Sequence, residues 1–360
     1  MLDWLQLART PRIGPVTFFQ LLAKFGSASN AIDALPSLTR GRAAKAVAAR
    51  ADIARDFEET HKMGGRILCA AETDYPPLLK QLSPPPPVLS VKGRMDIFTQ
   101  RTVAIVGARQ ASAAGRKMAR DIASDLSKAG YAVVSGLARG IDGEAHAASL
   151  EGGTIAVLAG GLDHIYPPQH QRLYDAIGQY GLLVSESPIG HRATAKDFPR
   201  RNRIITGLSE GVVVIEAAER SGSLISARTA LEQNREVMAV PASPLEARSA
   251  GSNRLLRQGA ILVRNAEDVI EALAAPLMRS IQAPPPTDFE DFDATEPLPA
   301  DQVEAVKLAL GPNPMPIAEI ARVANIGYAR CAMILVELEL SGMAVTYAGG
   351  FASLALESHS

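Results

Sequence analysis

The sequence has few cysteines and no long apolar run. Cys69 and Cys331 lie far apart and outside any Cys-x-x-Cys pattern, which excludes a disulfide framework and a cysteine zinc site. No apolar run approaches the roughly 18 residues of a membrane span, and the first residues lack the basic and apolar segments of a signal peptide. We therefore expect a soluble, cytoplasmic protein with no metal and no membrane partner.

The dinucleotide-binding fingerprint is also missing. Gly107 ends an apolar run, but Arg109 and Ser112 follow where Gly-x-Gly-x-x-Gly needs two more glycines. The next apolar run ends in Ser135 and Gly136 instead of an acidic ribose ligand. These departures argue against NAD and FAD, and we expect no cofactor.

The pattern that is present alternates short apolar strands with helical segments. Apolar runs predict strands at 103–106, 131–134, 154–158, 182–184, 212–215, 237–240 and 261–263, with further candidates at 67–69 and 88–91. Strands that are apolar throughout need both faces covered. We therefore predict an α/β fold, a Rossmann-like, doubly wound and mostly parallel sheet, over residues 66–275.

Both ends of the chain differ from this middle part. Residues 1–65 predict a small helical domain, in which an Ile-Gly-Pro turn between two helices resembles a helix-hairpin-helix or SAM-like unit; a simple packing module is the alternative. Residues 276–298 are rich in proline and acidic side chains and predict a disordered linker. Residues 299–360 predict three helices and a hairpin, the pattern of a winged helix.

The carboxyl ends of the strands predict an anion site. Small residues there let a ligand approach the backbone, and helix N-termini favour negative charge. The run 196–203 carries four cations, and Ser221 is a predicted N-cap that leaves the amides of Gly222 and Ser223 in the first helical turn. A solvated helix face and an ordinary capped helix are the alternative interpretations.

Asp142 and His146 lie four residues apart on one predicted helix and could form a general acid and base pair. No nucleophile or metal cluster accompanies them. We therefore favour a structural role, in which Asp142 caps its helix and holds the preceding loop while His146 is hydrogen-bonded beneath it.

Charge is distributed unevenly along the chain. Residues 261–360 carry 5 basic and 14 acidic side chains, although the whole chain has a formal net charge of −1. A polyanion should therefore meet the first two thirds of the chain. The predicted helix 328–341 offers only Arg330 against Glu337 and Glu339, so we expect the winged helix not to be the main binding site for such a polyanion.

Five motifs resemble those of one family. They are Val103-Ala-Ile-Val-Gly107-Ala-Arg109, Ser135-Gly-Leu-Ala-Arg139-Gly-Ile-Asp142-x-x-Ala145-His146, Gly160-Gly-Leu-Asp163-x-x-Tyr166-Pro167, Phe198-Pro-Arg-Arg-Asn202-Arg203-Ile-Ile and Ser221-Gly-Ser223-Leu-Ile. In this order they resemble the bacterial DNA-processing protein A family, also called DprA or Smf.

The resemblance implies a protein that binds single-stranded DNA during natural transformation, protects the incoming DNA and helps to load the RecA recombinase, without catalysis. It also implies a homodimer, with a single-stranded-DNA-binding protein as a further candidate partner. By motif position, the DNA-facing pocket comprises Arg109, Arg139, Arg203, Ser221, Gly222 and Ser223. Arg200, Arg201 and Arg228 are expected at its periphery, and Gly107, Ser135, Gly136, Asp142 and His146 are expected to shape its loops.

The competing hypothesis is an enzyme. The predicted sheet also resembles the nucleotide-cleaving lysine decarboxylase-like group, in which Gly-Gly-x-Gly-Thr and a following glutamate form the phosphate and catalytic site. Here the corresponding stretch, from Glu216 to Ser223, contains Ser-Gly-Ser. The alternative function is therefore a Rossmann-like enzyme that binds nucleotides or hydrolyses nucleoside monophosphates.

Overall fold

The computed structural model describes residues 1–38, 47–274, 299–347 and 350–355. Residue contacts divide the chain into two compact units. A sheet unit comprises Arg55–Met278, and a terminal unit comprises Met1–Ala54 together with Arg279–Ser360. The predicted linker 276–298 lies outside the described residues.

The sheet unit is built on nine strands. They are β1 (Gly65–Cys69), β2 (Val88–Gly93), β3 (Arg101–Gly107), β4 (Tyr131–Ser135), β5 (Thr154–Leu158), β6 (Leu182–Ser185), β7 (Gly211–Ile215), β8 (Glu236–Ala239) and β9 (Ile261–Leu262). Their order in the sheet is β1-β2-β6-β5-β4-β3-β7-β8-β9. The strands from β6 to β9 in that order pair in parallel, whereas β1 and β2 add an antiparallel edge beside β6.

Helices follow the strands as the alternation predicts. They are α5 (Pro77–Lys80), α6 (Ala113–Lys128), α7 (Ile141–Ala148), α8 (Gln171–Tyr180), α9 (Asp197–Gly207), α10 (Gly222–Glu232), α11 (Ala250–Arg257) and α12 (Ala266–Ala274). The boundary between the two units in the sequence falls within the preceding helix, α4 (Arg50–Lys62). Ser112 is the N-cap of α6, and its hydroxyl accepts a hydrogen bond from the Gly115 amide at 2.9 Å. Short polar caps of this kind supply a partner that the first helical amides lack.

The helices cover both faces of the sheet. Apolar residues of α6, α7 and α12 share one buried cluster with β3, β4, β7 and β8. The connections from β3 through β6 move along the sheet in one direction, whereas those from β6 to β7 and from β7 to β8 run in the other direction. Right-handed crossovers therefore place α9 and α10 on the opposite face of the sheet. The predicted doubly wound sheet is therefore confirmed.

The terminal unit contains the helical and winged-helix parts of the chain. Its first helices are α1 (Leu2–Arg9), α2 (Pro15–Phe25) and α3 (Ala28–Leu38). The winged helix comprises α13 (Ala300–Ala309), β10 (Met315–Pro316), α14 (Ile317–Ala324), α15 (Tyr328–Leu340), β11 (Ala344–Tyr347) and β12 (Phe351–Leu354). The strands β11 and β12 form the antiparallel wing. The predictions of a helical start and a winged-helix end are both confirmed.

Candidate nucleic-acid interface

The candidate site lies where the strand order of the sheet reverses. β3 pairs with β4 on one side and with β7 on the other, so the loops after β3 and β7 lead to helices on opposite faces. Open α/β sheets bind ligands at this kind of position. The two loops meet here, because the Glu216 carboxylate after β7 accepts hydrogen bonds from the amide of Ser112, at 2.8 Å, and from its hydroxyl.

Glycines allow the loops to pack closely. A Cβ atom at Gly107 would collide with the carbonyl oxygen of Ile215, and one at Gly140 would collide with the carbonyl oxygens of Ala108 and Arg109. Gly140 also has a φ of 77°, in the left-handed region that side chains disfavour. The β3 and β4 loops are therefore held against each other, as the small residues predict.

Asp142 holds the loop after β4. One of its carboxylate oxygens accepts the amides of Gly136 at 3.1 Å and Ala138 at 3.4 Å. Its predicted role in holding the loop is therefore confirmed, but its predicted role as a helix cap is wrong. The N-cap of α7 is Gly140, and Asp142 lies within the first turn of that helix, from which its side chain turns back to the loop.

His146 is a fully buried structural residue. Its Nε2 atom accepts the Leu137 amide at 3.3 Å, so the proton lies on Nδ1, which donates to the hydroxyl of Thr154 at 2.8 Å. The Thr154 hydroxyl in turn donates to the carbonyl of Val133 at 3.1 Å. Burial, together with the positive charges of His170 and Arg201, lowers the pKa of His146 to about 3. Since both ring nitrogens are engaged, His146 and Asp142 do not form an acid and base pair.

Arg201 is buried, contrary to its expected place at the periphery. Its exposed fraction is 7%, and one guanidinium nitrogen donates to the carbonyls of Gly136 at 2.7 Å and Val157 at 2.5 Å. Burial lowers the pKa of Arg201 to about 10, while the nearby charge of Asp142 opposes this shift. The side chain therefore fixes the ends of β4 and β5 and does not reach solvent.

Arg200 and Arg203 are both paired with Glu186, which follows β6. Arg200 Nε donates to one oxygen of this carboxylate at 3.0 Å, and Arg203 donates to the other. The Arg203 side chain is only 16% exposed, whereas that of Arg200 is 57% exposed. Arg203, expected in the DNA-facing pocket, is therefore largely buried and paired with Glu186.

Three side chains form a cluster at this edge, which we call the aromatic platform: Arg109, Tyr166 and Phe198. The Arg109 guanidinium lies over the Phe198 ring, with 5.1 Å between its central carbon and the ring centroid. The Tyr166 ring meets the same ring edge-on at a centroid distance of 5.6 Å. Phe198 itself is half-buried, Arg109 is exposed, and Tyr166 is 48% exposed. The buried Arg201 guanidinium also lies 6.0 Å from the Phe198 ring centroid. The platform thus places two partly exposed aromatic rings beside an exposed cation, a combination that suits stacking of another planar group.

The N-terminus of α10 lies next to the platform along α9. Ser221 is the N-cap, as predicted, and its hydroxyl accepts the Ser223 amide at 3.3 Å. The side-chain amide of Asn202 donates to the Gly222 carbonyl at 3.5 Å. Because Phe198 and Asn202 are four residues apart on α9, they share one face of that helix. Gly222 is exposed, with open space where a Cβ would lie.

The helix N-termini at this edge differ in their charge environment. The Glu216 carboxylate occupies the first turn of α6, where a Cβ at Gly115 would lie within 2.8 Å of its atoms. Among the residues that the structure describes, no carboxylate accepts a hydrogen bond from the first-turn amides of α10. An incoming anion is therefore opposed at α6 and favoured at α10.

Exposed cations complete the edge. Arg109, Arg139 and Lys196 lie in the loops after β3, after β4 and before α9, and none forms an ion pair with another described residue. Arg228, in contrast, lies on the outer face of α10, where its 83% exposed side chain pairs with Glu232 at 3.0 Å. Of the arginines predicted for the site, the structure thus brings Arg109 and Arg139 to the open edge.

Sequence reasoning missed four residues of this site, namely Tyr166, Glu186, Phe198 and Glu216. Phe198 carried a detectable signal, since it is an aromatic residue within a run of cations. Tyr166 appears in the sequence only as part of one family motif. No pattern in the sequence marked Glu186, and Glu216 was considered only as the start of the stretch compared with the nucleotide-cleaving group, because the partners of both carboxylates are distant along the chain.

Three family models match the chain. The model described as DNA recombination-mediator protein A matches residues 66–274, the DprA-like N-terminal HHH domain matches 1–58, and the DprA winged helix domain matches 290–350. The chain is 43% identical over 215 residues to the DNA processing protein DprA of Bacillus subtilis, in an alignment that covers 59% of this chain and 72% of that protein.

Two solved structures share the architecture. The X-ray structure of DNA processing protein A from Streptococcus pneumoniae has 33% sequence identity and a TM-score of 0.66, and the match covers 74% of this chain and 95% of that one. DNA processing protein A from Helicobacter pylori, described for its single-stranded DNA binding mode, has 31% identity and a TM-score of 0.54 over 58% of this chain and 95% of that one.

Proposed function

The chain belongs to the DNA recombination-mediator protein A family, as its motifs predict, and on this premise we propose that it binds single-stranded DNA at the carboxyl edge of its sheet. The observation that carries the proposal is the aromatic platform, with Arg109 at 5.1 Å from the Phe198 ring. Bases of a single strand stack on aromatic rings, and arginine beside the ring adds a cation–π contribution.

The surrounding groups suit the phosphates of the same strand. Arg109, Arg139 and Lys196 are exposed cations in three neighbouring loops, and the first-turn amides of α10 have no carboxylate partner among the described residues. These groups contact any sequence alike, because phosphates carry no sequence information. We therefore expect weak sequence specificity and strong salt dependence.

The platform also favours a single strand over a duplex. Base faces are free to stack only when the strand is unpaired, whereas a duplex presents base edges in its grooves. The described part of the edge carries no free helix of the kind that enters a major groove. Duplex DNA should therefore meet only the cations.

The proposal is tested with Phe198→Trp as a fluorescent reporter in the platform. The chain has one other tryptophan, Trp4, so the wild-type protein supplies the background emission. Saturating single-stranded oligonucleotide should quench the emission of the introduced indole, while the Trp4 emission of the wild type stays constant. Binding without any quenching of the reporter would show that bases do not stack on the platform.

We further propose the cellular role that membership of the family suggests. In this role the protein protects incoming single strands during natural transformation, helps to load RecA onto them, acts as a homodimer and meets a single-stranded-DNA-binding protein on the same strand. The test is RecA filament formation on strands coated with that binding protein. Faster filament formation with the wild type than with Arg109→Ala is expected, and equal rates would contradict the role.

We also propose that the protein acts without catalysis. Asp142 and His146 are committed to loop and core hydrogen bonds, and the Glu216 carboxylate is engaged by Ser112. The corresponding side chain of a nucleotide-cleaving enzyme would have to face its substrate. Incubation with nucleoside monophosphates should release no free base, and release that is lost in Glu216→Gln would favour the enzyme.

A further inference from the structure

Helix α15 of the winged helix has two apolar faces. Cys331, Ile334, Leu335 and Leu338 lie in the core of the winged helix itself. Val336 and Leu340 belong to a different buried cluster, which is otherwise formed by residues of α1, α2 and α3 and the turn between α1 and α2: Leu7, Ile13, Phe18, Leu21, Ala28, Ala31 and Leu35. The second face of α15 therefore packs against the N-terminal helices.

A polar contact fixes the same junction. The hydroxyl of Thr17 in α2, which is buried, donates to Glu339 Oε2 in α15 at 2.6 Å. The same carboxylate accepts the amide of Thr346 at 3.1 Å and its hydroxyl at 2.7 Å. Glu339 thus links α2, α15 and the first strand of the wing through one satisfied carboxylate.

The burial of α15 is incompatible with groove reading. A recognition helix keeps one face open so that its side chains reach base edges. In α15 none of residues 329–340 is exposed. Its one cation, Arg330, donates to the side chain of Gln302 at 3.0 Å.

We propose that the second apolar face of α15 is a protein-docking surface whose occupant is the N-terminal helical segment α1–α3 of the same chain. The winged helix then serves to hold the start of the chain and does not read duplex DNA. This role is independent of single-strand binding at the sheet edge, so either proposal can fail without the other.

The test is hydrogen exchange of the full chain, with Val336→Asp as the perturbing variant. Val336 is outside the core cluster of the winged helix, so peptides of α14 should stay protected in this variant. Peptides of α2 should exchange at least ~10-fold faster than in the wild type, a factor that corresponds to about 1.4 kcal/mol. Val323→Asp is the matched control, since Val323 lies on α14 of the same domain and is 55% exposed. It should leave α2 unchanged. Added duplex oligonucleotide should leave the exchange of wild-type α15 unchanged.

Unchanged exchange of α2 in Val336→Asp, an equal effect of Val323→Asp, or protection of α15 by the duplex would overturn the proposal. If Val336→Asp also opens α14, Thr17→Val is the second variant. It removes the hydrogen bond to Glu339 by a change in α2, and it leaves the sequence of the winged helix unaltered. Faster exchange at the carboxyl end of α15 in Thr17→Val supports docking, and wild-type exchange there overturns it.

Discussion

Replacing Arg109 by alanine tests the candidate site at one exposed cation. The side chain has no ion pair with a described residue, and its guanidinium carbon lies 5.1 Å from the centroid of the Phe198 ring. An exposed contact of this kind stabilises a fold by about 0.5–1 kcal/mol, so the variant should stay folded. Loss of one phosphate contact should make the slope of log K against log salt shallower by about 0.7. Over a four-fold range of salt, the ratio of wild-type to variant affinity should then change by about 2.6-fold.

The matched control is Arg228→Ala. Arg228 is also an exposed arginine of the sheet unit, but it pairs with Glu232 on the outer face of α10. Titration of a labelled single strand by fluorescence anisotropy at several salt concentrations gives the slope for each protein. Arg228→Ala should keep the wild-type slope. Equal slopes for all three proteins, with Arg109→Ala folded, would refute the placing of the site at Arg109.

Three further predictions concern Phe198, His146 and Arg201. Phe198→Leu should weaken single-strand binding by roughly ten-fold, about 1.4 kcal/mol, because stacking contributes about 1–3 kcal/mol per base; anisotropy at fixed salt measures this, and Phe198→Tyr should bind like the wild type. Since the folded pKa of His146 is about 3 and the ordinary value is 6.5, the stability from its neutral form is complete above about pH 6.5 and is lost as pH falls toward 3. Urea midpoints at pH 7 and pH 5 should therefore differ more in the wild type than in His146→Gln. Arg201→Ala should destabilise the fold by about 3–5 kcal/mol, because two buried carbonyls and Asp142 lose their cation, whereas Arg200→Ala should cost about 1 kcal/mol or less in the same urea titration. Normal stability of Arg201→Ala would contradict its buried role.

The sequence predicted the elements well where local rules decide the structure. Ser221 is predicted correctly as a cap because capping depends on residues within one turn. The buried strands were recognised because a parallel strand covered on both faces is apolar at nearly every position, as in β4 and β5.

The roles of the cations in α9 could not be assigned by counting charge. Arg200, Arg201 and Arg203 are close in sequence, yet Arg201 is buried, Arg203 is largely enclosed and Arg200 is exposed. Helical spacing gave a signal for Arg201, which shares a face with Ile204, Ile205 and Leu208. The partner of Arg203, Glu186, is 17 residues away after another strand, and only the sheet order brings the two together.

We propose that the sheet edge binds unpaired bases and phosphates. The most direct test of this proposal is the affinity of the wild-type protein for one labelled oligonucleotide, measured as a single strand and after annealing to its complement, over a range of salt. We expect tighter binding of the single strand, with a slope of log K against log salt of about −2 for contacts with Arg109, Arg139 and Lys196 at about 0.7 each. Equal or tighter binding of the duplex, or an affinity that does not change with salt, would contradict it.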